Sequence, residues 1–497
     1  MAMKRQEGGE QPFIPAGPFK IRLPFVHYKF EWPDYVQGLL LCTVCLSAIP
    51  LLTENLGMAM ETALAVVVLN GILYCTHVLL GDPVVPGWVT PAIPLLVLYV
   101  SDFSLDNHER IQALMAFEMT LGVLAIVLGI TGLGKKMVAL IPPAMKCGLI
   151  MGAGIAAVSQ IFTKGARFDT YPWTISICIG LAFFLLFSNR FKYIAQRSKI
   201  ASTISNLGLM PVLLLAVVIG PLLDRATISW PTFEAKIFST PDFADLWQNF
   251  TVLGDVPFPP LSMFIKGLPM VFSAYVVLFG EMVQADALLK DAHKVRPDET
   301  IDYNPNRSHL VFGIRNLTMS IIGPDITMCG PLWAAMQVVV CDRYKRGRKE
   351  MDSIHGGTGS FRFGTLTGYF LAPIVALVTP ILGVGLALTY LIQGYVAVRV
   401  GISNARTFTD LGIAGVMGAV LATRGAAWGL AVGILLCLLI QLFNRKEYDD
   451  YLADVFSGAR REDVPAAEAA AVAESAPAAV EAASDGGGGN PAPGDQK

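Results

Sequence analysis

A carboxylate and an amide interrupt an otherwise apolar stretch in the second half of the chain. Glu281 lies about a dozen residues after the polar start of this stretch, and Gln284 follows one helical turn later on the same face. A charge near the centre of a membrane helix costs about 2.5–3.5 kcal/mol to insert, so such residues are usually functional. Glu281 could carry a proton or coordinate a cation, and Gln284 could orient a ligand. The structural alternative for Glu281 is a salt bridge.

Three further ionisable residues fall within apolar surroundings. Glu118 lies in "LMAFEMTLGVL", Arg315 in "VFGIRNLTMS" and Asp325 in "IIGPDITMC". Opposite charges inside a bilayer usually pair with one another. We therefore predict a structural ion pair or hydrogen bond of Glu118 or Arg315, with each other or with Asp325, in preference to contacts with a ligand.

Two proline- and glycine-containing stretches occupy matching places in the two halves of the chain. Residues 321–336 read "IIGPDITMCGPLWAAM", and residues 83–98 read "PVVPGWVTPAIPLLVL". In each, a short β-prone run meets a small polar residue, then proline, then an apolar helix. Proline is well placed at a helix start, where its missing N–H would be unpaired anyway. We predict an extended segment leading into a half-helix at each place.

Such interruptions at membrane depth are tolerated where they line a cavity or are buried in protein. Two half-helix N-termini that face each other would offer exposed N–H groups and partial positive charge to a polar or anionic ligand. Proline-kinked packing helices are the alternative for one such stretch, but their matched occurrence in two halves favours a binding site.

Composition defines the class of protein that these residues belong to. The chain has 497 residues, of which 54% are hydrophobic and 15% charged, whereas soluble proteins carry roughly a quarter charged residues. The apolar runs are too long for an outer-membrane barrel, so we predict an all-α, multi-pass membrane protein surrounded by lipid. No nucleotide motif, metal-ligand cluster or nucleophile–base pair is found, so we predict neither an enzyme nor a cofactor, a metal or a nucleic-acid partner.

About fourteen hydrophobic segments can be counted, seven on each side of a polar loop, and segment 11 is predicted at 364–379. An odd number per half implies two inverted repeats. Lysine and arginine gather in the loops on one side, which places both termini in the cytoplasm. The predicted divisions are an N-terminal tail (1–33), a first repeat (34–222), an outer loop (223–260), a second repeat (261–444) and a mostly disordered tail (445–497).

Four stretches in order resemble the nucleobase–ascorbate transporters, the uracil and xanthine permease family. They are "FGEMVQADALLKD" (279–291), "NRSHLVFGIRNLTMSIIGPDITMCGPLWAAM" (306–336), "GYVAVRVGISNART" (394–407) and "GAAWGLAVGILLCLLI" (425–440). The family shares its fold, two inverted sets of seven segments, with sulfate permeases and bicarbonate exchangers. The resemblance covers most of residues 34–444.

The resemblance implies a core domain of segments 1–4 and 8–11 and a gate domain of segments 5–7 and 12–14. It also implies a dimer that moves substrate by an elevator-like step. We further expect a bacterial inner membrane and coupling to H⁺ or Na⁺ through Glu281. Glu281 takes the role of the substrate-binding glutamate, and Thr90 takes the role of the contact from segment 3. The contacts from segment 10 fall on the backbone of Thr327, Met328, Cys329 and Gly330.

The chain departs from the family at segment 10. A second glutamate followed by asparagine opens that helix in the family, whereas Cys329-Gly330-Pro331-Leu332 stands here. Either Asp325 and Gln284 replace the missing groups, or the ligand differs. We expect a secondary transporter of a small polar or anionic solute, with a nucleobase-like solute as the first choice. The alternatives are an inorganic-anion or carboxylate exchanger, and a receptor or subunit that transports nothing.

Overall fold

The protein is almost entirely helical. The structure is a computed structural model that describes residues 3–441, apart from four side chains between 196 and 206. The predicted C-terminal tail, 445–497, lies outside the described residues. A two-stranded hairpin, β1 (Ile14–Ala16) and β2 (Phe19–Ile21), precedes the helices.

The helices of the first half are α1 (Trp32–Leu46), α2 (Ile49–Leu56), α3 (Met60–Leu79), α4 (Ile93–Ser101), α5 (Glu109–Thr131), α6 (Gly134–Ala139), α7 (Pro143–Phe162), α8 (Arg167–Thr170), α9 (Pro172–Phe187), α10 (Asn189–Arg197), α11 (Lys199–Asn206) and α12 (Met210–Leu223). Short 3₁₀ turns precede α4 (Thr90–Ala92) and α5 (Asp106–His108). Proline stands in the first turn of several of these helices, where it costs no hydrogen bond.

The loop after α12 contains α13 (Phe243–Asn249). The helices of the second half are α14 (Leu261–Val295), α15 (Pro305–Ile322), α16 (Ala334–Lys345), α17 (Ile354–Phe370), α18 (Ala372–Val378), α19 (Leu382–Ser403), α20 (Phe408–Arg424) and α21 (Ala426–Leu436). A 3₁₀ turn (Thr379–Ile381) joins α18 to α19, and a π-helical turn (Cys437–Gln441) follows α21.

Among the described residues, six helices are long and apolar enough to cross a membrane, and a seventh crossing results if α9 and α10, bent by 62°, count as one. Shorter apolar helices stand at three further predicted spans, Thr90–Ser101, Met210–Leu223 and Ala426–Gln441. The chain is therefore an integral, multi-pass membrane protein. The number of crossings stays a prediction.

The packing of the helices repeats between the two halves. Segment 1 (α1) packs on segment 11 (α17), and segment 8 (α14) packs correspondingly on segment 4 (α5). Segments 4 (α5) and 9 (α15) pack together, as do the corresponding segments 11 (α17) and 2 (α3). Segments 5 (α7) and 13 (α20) pack together, as do the corresponding segments 12 (α19) and 6 (α9). In each case, replacing both segments by their counterparts seven places away in the other half converts one contact into the other. Two inverted repeats produce this arrangement.

These contacts sort the helices into two groups. One group holds α1, α3, α4, α5 and α14–α17, and the other holds α7, α9, α12 and α19–α21. The groups touch where α7 meets α4 and α14, where α14 meets α21, and where α12 and α19 meet α1. The membership of each group agrees with the core and gate divisions expected from the sequence.

Segment 11 begins earlier than the sequence predicted. The predicted span was 364–379, whereas α17 runs from Ile354 to Phe370 and a separate short helix, α18, follows. Helix α17 reads "IHGGTGSFRFGTLTGYF", in which glycine, serine and threonine dilute the apolar residues. Its residues are nevertheless mostly buried, since protein surrounds the helix on several sides. Hydropathy therefore placed this span too late.

The residues before α1, predicted as a tail, pack against the loop between α14 and α15. We call residues 3–31 the N-terminal arm. The Arg5 and Arg22 side chains are buried in it. Arg5 forms ion pairs with Asp298 at 3.0 Å and Glu299 at 3.3 Å, and Lys20 pairs with Asp302 at 2.6 Å. The arm is thus attached to that loop by charge pairs.

Acid is expected to loosen the N-terminal arm. Burial raises the pKa of the Asp302 carboxyl, but hydrogen bonds from Lys20 and Arg307 and their charges outweigh it and lower the pKa to about 2, below the ordinary 3.8. The stabilisation is therefore complete above pH 4 and is lost as the pH falls toward 2. Because Asp302 is partly exposed, we expect about 1 kcal/mol or less. Hydrogen exchange across residues 10–22 should rise over this range, and Asp302→Asn should raise it at neutral pH. Exchange that responds no more to Asp302→Asn than to Glu7→Gln, at an exposed position of the arm, would contradict this.

Candidate functional site

The two interrupted stretches meet in the interior of the first helix group. Their backbones run antiparallel and form an isolated bridge between Gly87 and Gly330. The Gly330 N–H donates to the Gly87 carbonyl at 2.8 Å, and the Val89 N–H donates to the Thr327 carbonyl at 3.2 Å. This pairing satisfies backbone groups that no helix covers.

A half-helix leads away from each side of this contact. The 3₁₀ turn Thr90–Ala92 carries proline in its first turn and leads into α4. On the other side α16 begins at Ala334, three residues later than Pro331. Between them, the Trp333 N–H donates to the Val85 carbonyl at 2.6 Å, which extends the pairing. The predicted extended segment with a following half-helix is thus found at both places.

Polar side chains hold the second interruption in shape. Asn316 on α15 binds Cys329 from both sides, accepting from its N–H at 3.0 Å and donating to its carbonyl at 2.8 Å. The Asp325 carboxylate accepts from the Thr327 N–H at 2.9 Å. Met328 adopts a left-handed conformation with φ of 58°, which is unusual for a residue with a side chain. The backbone groups of Thr327 and Cys329 are therefore engaged within the protein in this conformation.

Two carboxyl groups, of Glu118 and Asp325, lie at the second interrupted stretch, residues 321–336. Glu118 on α5 accepts from the backbone N–H of Asp325 at 3.2 Å through Oε1, and its Oε2 is buried without a hydrogen-bond partner among the described residues. The Asp325 side chain also accepts from the Asn70 amide and the Thr327 hydroxyl. Asn70 lies on α3, so this cluster joins two helices, α3 and α5, to the interruption.

Two arginines lie next to this cluster. The Arg315 and Arg362 side chains are 1% and 0% exposed. Both guanidinium groups lie over the ring of Tyr74, with Cζ at 4.4 Å and 4.3 Å from the ring centroid. Such cation–π contacts are worth about 0.5–2 kcal/mol. Arg315 donates to the Gly330 carbonyl at 3.3 Å. In the part of the chain that is described, no ion pair joins Arg315 to Glu118 or Asp325.

A small cavity adjoins these side chains. Its lining residues are Cys45, Ala48, Val67, Asn70, Tyr74, Trp88, Asp325, Thr327 and Tyr369. The space not filled by atoms is about 180 Å³, and most of it is too narrow for a water molecule. A larger ligand would therefore need side chains or helices to move.

The predicted ligand residues on α14, Glu281 and Gln284, are not bonded to the Asp325 cluster among the described residues. The Oε2 atom of Glu281 is buried and has no hydrogen-bond partner among the described residues. No hydrogen bond or ion pair within the described range connects Glu281 or Gln284 to Asp325 or Arg315. Thr90 is half-buried at the start of its 3₁₀ turn. The structure thus brings Glu118, Arg315, Asp325 and 327–330 together, and no hydrogen bond or ion pair among the described residues links them to Glu281 or Gln284.

Sequence reasoning missed Arg362, Tyr74, Asn70 and Asn316. Arg362 was left outside the predicted span 364–379, although it lies at the middle of α17. An arginine between two phenylalanines in "SFRFG" was the available signal. Groups of three or more His, Cys, Asp or Glu side chains able to hold a metal ion are not found within residues 3–441.

No protein-family model and no curated protein matches the chain. Among solved structures, it is similar to SLC26A9, with 16% identity over 83% of this chain and 65% of that chain and a TM-score of 0.47. It is also similar to the transmembrane domain of the bicarbonate transporter BicA of a cyanobacterium, with 14% identity over 81% of this chain and 96% of that chain and a TM-score of 0.46. For murine Slc26a9, an anion transporter in the inward-facing state, the identity is 15% over 84% and 69% of the two chains, with a TM-score of 0.46. The chain thus spans just under two thirds of the SLC26A9 chain.

Proposed function

We propose that the protein is a secondary transporter that carries a small polar or anionic solute at the contact between its two interrupted segments. The observation that supports this most is the antiparallel pairing of Gly87 with Gly330 inside a helix group surrounded by apolar segments. Interrupted backbone at this depth is costly unless it serves a site. A structural subunit would have no need for it.

Transport would follow from relative movement of the two helix groups. The first group contains both interruptions and their polar cluster, and the second contacts it through α7, α12, α19 and α21. Two helix groups packed in this way can slide against each other as rigid bodies, which is one form of alternating access. We further propose a homodimer in a bacterial inner membrane, with both termini in the cytoplasm, as the resemblance and the basic loops suggest.

The solute is more readily a small anion than a nucleobase. A nucleobase needs paired donors and acceptors on one edge, and the residue set of the resembled family is incomplete at Cys329-Gly330. The helix N-termini that follow each interruption favour negative charge. Uptake into proteoliposomes, with labelled sulfate, bicarbonate and dicarboxylates compared with uracil and xanthine, tests both readings. A protein that transports none of them under any ion gradient would contradict the proposal.

Glu281 is proposed as the coupling residue. Its Oε2 atom is buried and has no hydrogen-bond partner within residues 3–441, so the side chain is available to exchange a proton or a cation during the cycle. If protons couple, uptake by the wild type should increase as the external pH falls, and Glu281→Gln should lose this dependence and about tenfold or more of the concentrative uptake. Glu61→Gln, at an exposed position of α3, is the matched control. Equal uptake by Glu281→Gln and wild type at all pH values and Na⁺ gradients would exclude coupling through Glu281.

A further inference from the structure

The guanidinium groups of Arg315 and Arg362 are buried, and neither forms an ion pair with a carboxylate among the described residues. Among residues 3–441, no carboxylate oxygen lies within 4 Å of either group, although surface arginines such as Arg167 have such partners. Among the described residues, Nε and Nη2 of Arg315 donate to no acceptor, and neither do Nε, Nη1 and Nη2 of Arg362. Five buried nitrogen atoms around the Tyr74 ring therefore have no hydrogen-bond acceptor among the described residues.

This arrangement is costly for a protein that binds nothing there. Isolated charges in a medium of low polarity are strongly unfavourable, and buried charges are normally paired. The thiols of Cys45, near Arg362, and Cys329, near Arg315, are only weak hydrogen-bond acceptors. The Tyr74 ring compensates only in part.

The nearby carboxylates do not fill the gap. Asp325 is occupied by donors from Asn70 and from the backbone and hydroxyl of Thr327. Glu118 points its Oε1 at the Asp325 N–H. Neither carboxylate therefore accepts a hydrogen bond from Arg315 or Arg362 among the described residues.

We propose that Arg315, Arg362 and Tyr74 form a binding site for a small oxyanion, such as a carboxylate, bicarbonate or sulfate. The planar guanidinium fork matches two oxygens of such an anion, which chloride cannot offer. The small cavity borders the site, since Tyr74 lines it and the Cys45 thiol that lines it lies beside Arg362. Because that cavity is narrow, the anion enters when the surrounding side chains move.

The site rests on the proposed function in one respect: the bound oxyanion would be the transported solute or a co-substrate of it. It differs from the resemblance, which assigns substrate binding to Glu281, Thr90 and 327–330. Its charges come from α15 and α17, and its ring from α3.

Binding can be measured on the purified full-length protein without transport. We expect thermal stabilisation by sulfate, bicarbonate or oxalate, compared with chloride at equal ionic strength. Arg362→Gln and Arg315→Gln should each weaken the apparent affinity for the stabilising oxyanion by about tenfold or more, and Arg362→Lys should weaken it less.

The matched control is Arg307→Gln on the same helix, α15. Arg307 is buried but paired with Asp302 at 2.8 Å, so its loss should not change oxyanion affinity. If an arginine variant does not fold, the wild type still allows a test by tryptophan fluorescence. Trp333 lies 5.1 Å from the Arg362 guanidinium, so an oxyanion should change an emission that Trp333→Phe removes.

The outcomes separate this site from the proposed function. Unchanged oxyanion affinity in both glutamine variants would overturn the site even if uptake is normal. A wild type that transports uracil but neither binds nor transports any oxyanion would also overturn the site and leave transport intact. Oxyanion binding that depends on Arg362, without uptake of any solute, would support the site and contradict the proposed transport.

Discussion

Replacing Gly330 by valine is expected to abolish uptake and to destabilise the protein by about 1–3 kcal/mol or more, since it overpacks the contact between the two interrupted segments. A Cβ at this position would lie 2.9 Å from the Gly87 carbonyl oxygen and 3.0 Å from the Trp88 carbonyl carbon. Both neighbours are backbone atoms, so no side-chain rotation relieves the clash. The two strands would separate, and with them the carbonyl of residue 330 that Arg315 binds.

The control for Gly330→Val is the same change at Gly180 on α9. A Cβ there meets nothing within 4 Å, so the variant should fold and transport like the wild type. Thermal unfolding of both purified variants, followed by reconstitution and uptake, makes the comparison. Normal stability and uptake of Gly330→Val would show that the two segments are not held in contact during function.

The interruptions could be predicted because glycine and proline have local effects that sequence alone reveals. Proline removes a donor and fixes φ, and glycine permits close backbone approach. Their occurrence at corresponding places in two halves indicated where the breaks lie. Gly87 and Gly330 are 243 positions apart in the sequence, so their pairing could be found only from the fold.

The charged cluster was less predictable. Sequence reasoning weighed Glu118, Arg315 and Asp325 as possible ion pairs, whereas hydrogen bonds to Asn70, Thr327 and backbone groups determine their geometry. Such partners are remote in sequence. The boundary of segment 11 had a second effect: because the predicted span began at 364, Arg362 was read as outside the membrane and was not weighed at all.

The role of Glu281 stays a prediction. The carboxylate is buried on α14 as expected for a functional residue, but its position near a bound solute depends on the relation between the two helix groups during transport. In this conformation, buried donors without a partner among the described residues include those of Arg315 on α15 and Arg362 on α17. Measuring Glu281 and Arg362 variants in the same assays would separate coupling from binding, since coupling alters pH or Na⁺ dependence and binding alters affinity.

Gly364→Ala is expected to destabilise the protein by about 1–3 kcal/mol, and Gly364→Val is expected to prevent recovery of monodisperse protein, because α1 and α17 pack backbone to backbone. A Cβ on Gly364 would lie 2.1 Å from the Tyr35 carbonyl oxygen, and one on Gly38 of the facing helix would lie 2.0 Å from the Phe361 carbonyl oxygen. Gly364 and Gly368 form a G-x-x-x-G pair, which permits close helix approach in membranes.

The consequence of this packing reaches the arginine site. Arg362 lies between Phe361 and Gly364 on α17, so displacing that helix from α1 would also displace its guanidinium from the Tyr74 ring. Gly364→Ala should therefore weaken oxyanion stabilisation as well as lower the unfolding temperature, whereas Gly412→Ala should do neither, since a Cβ there meets nothing within 4 Å. Thermal unfolding of each variant with and without sulfate measures both effects. A Gly364→Ala protein as stable as the wild type would show that α1 and α17 do not approach as closely as described.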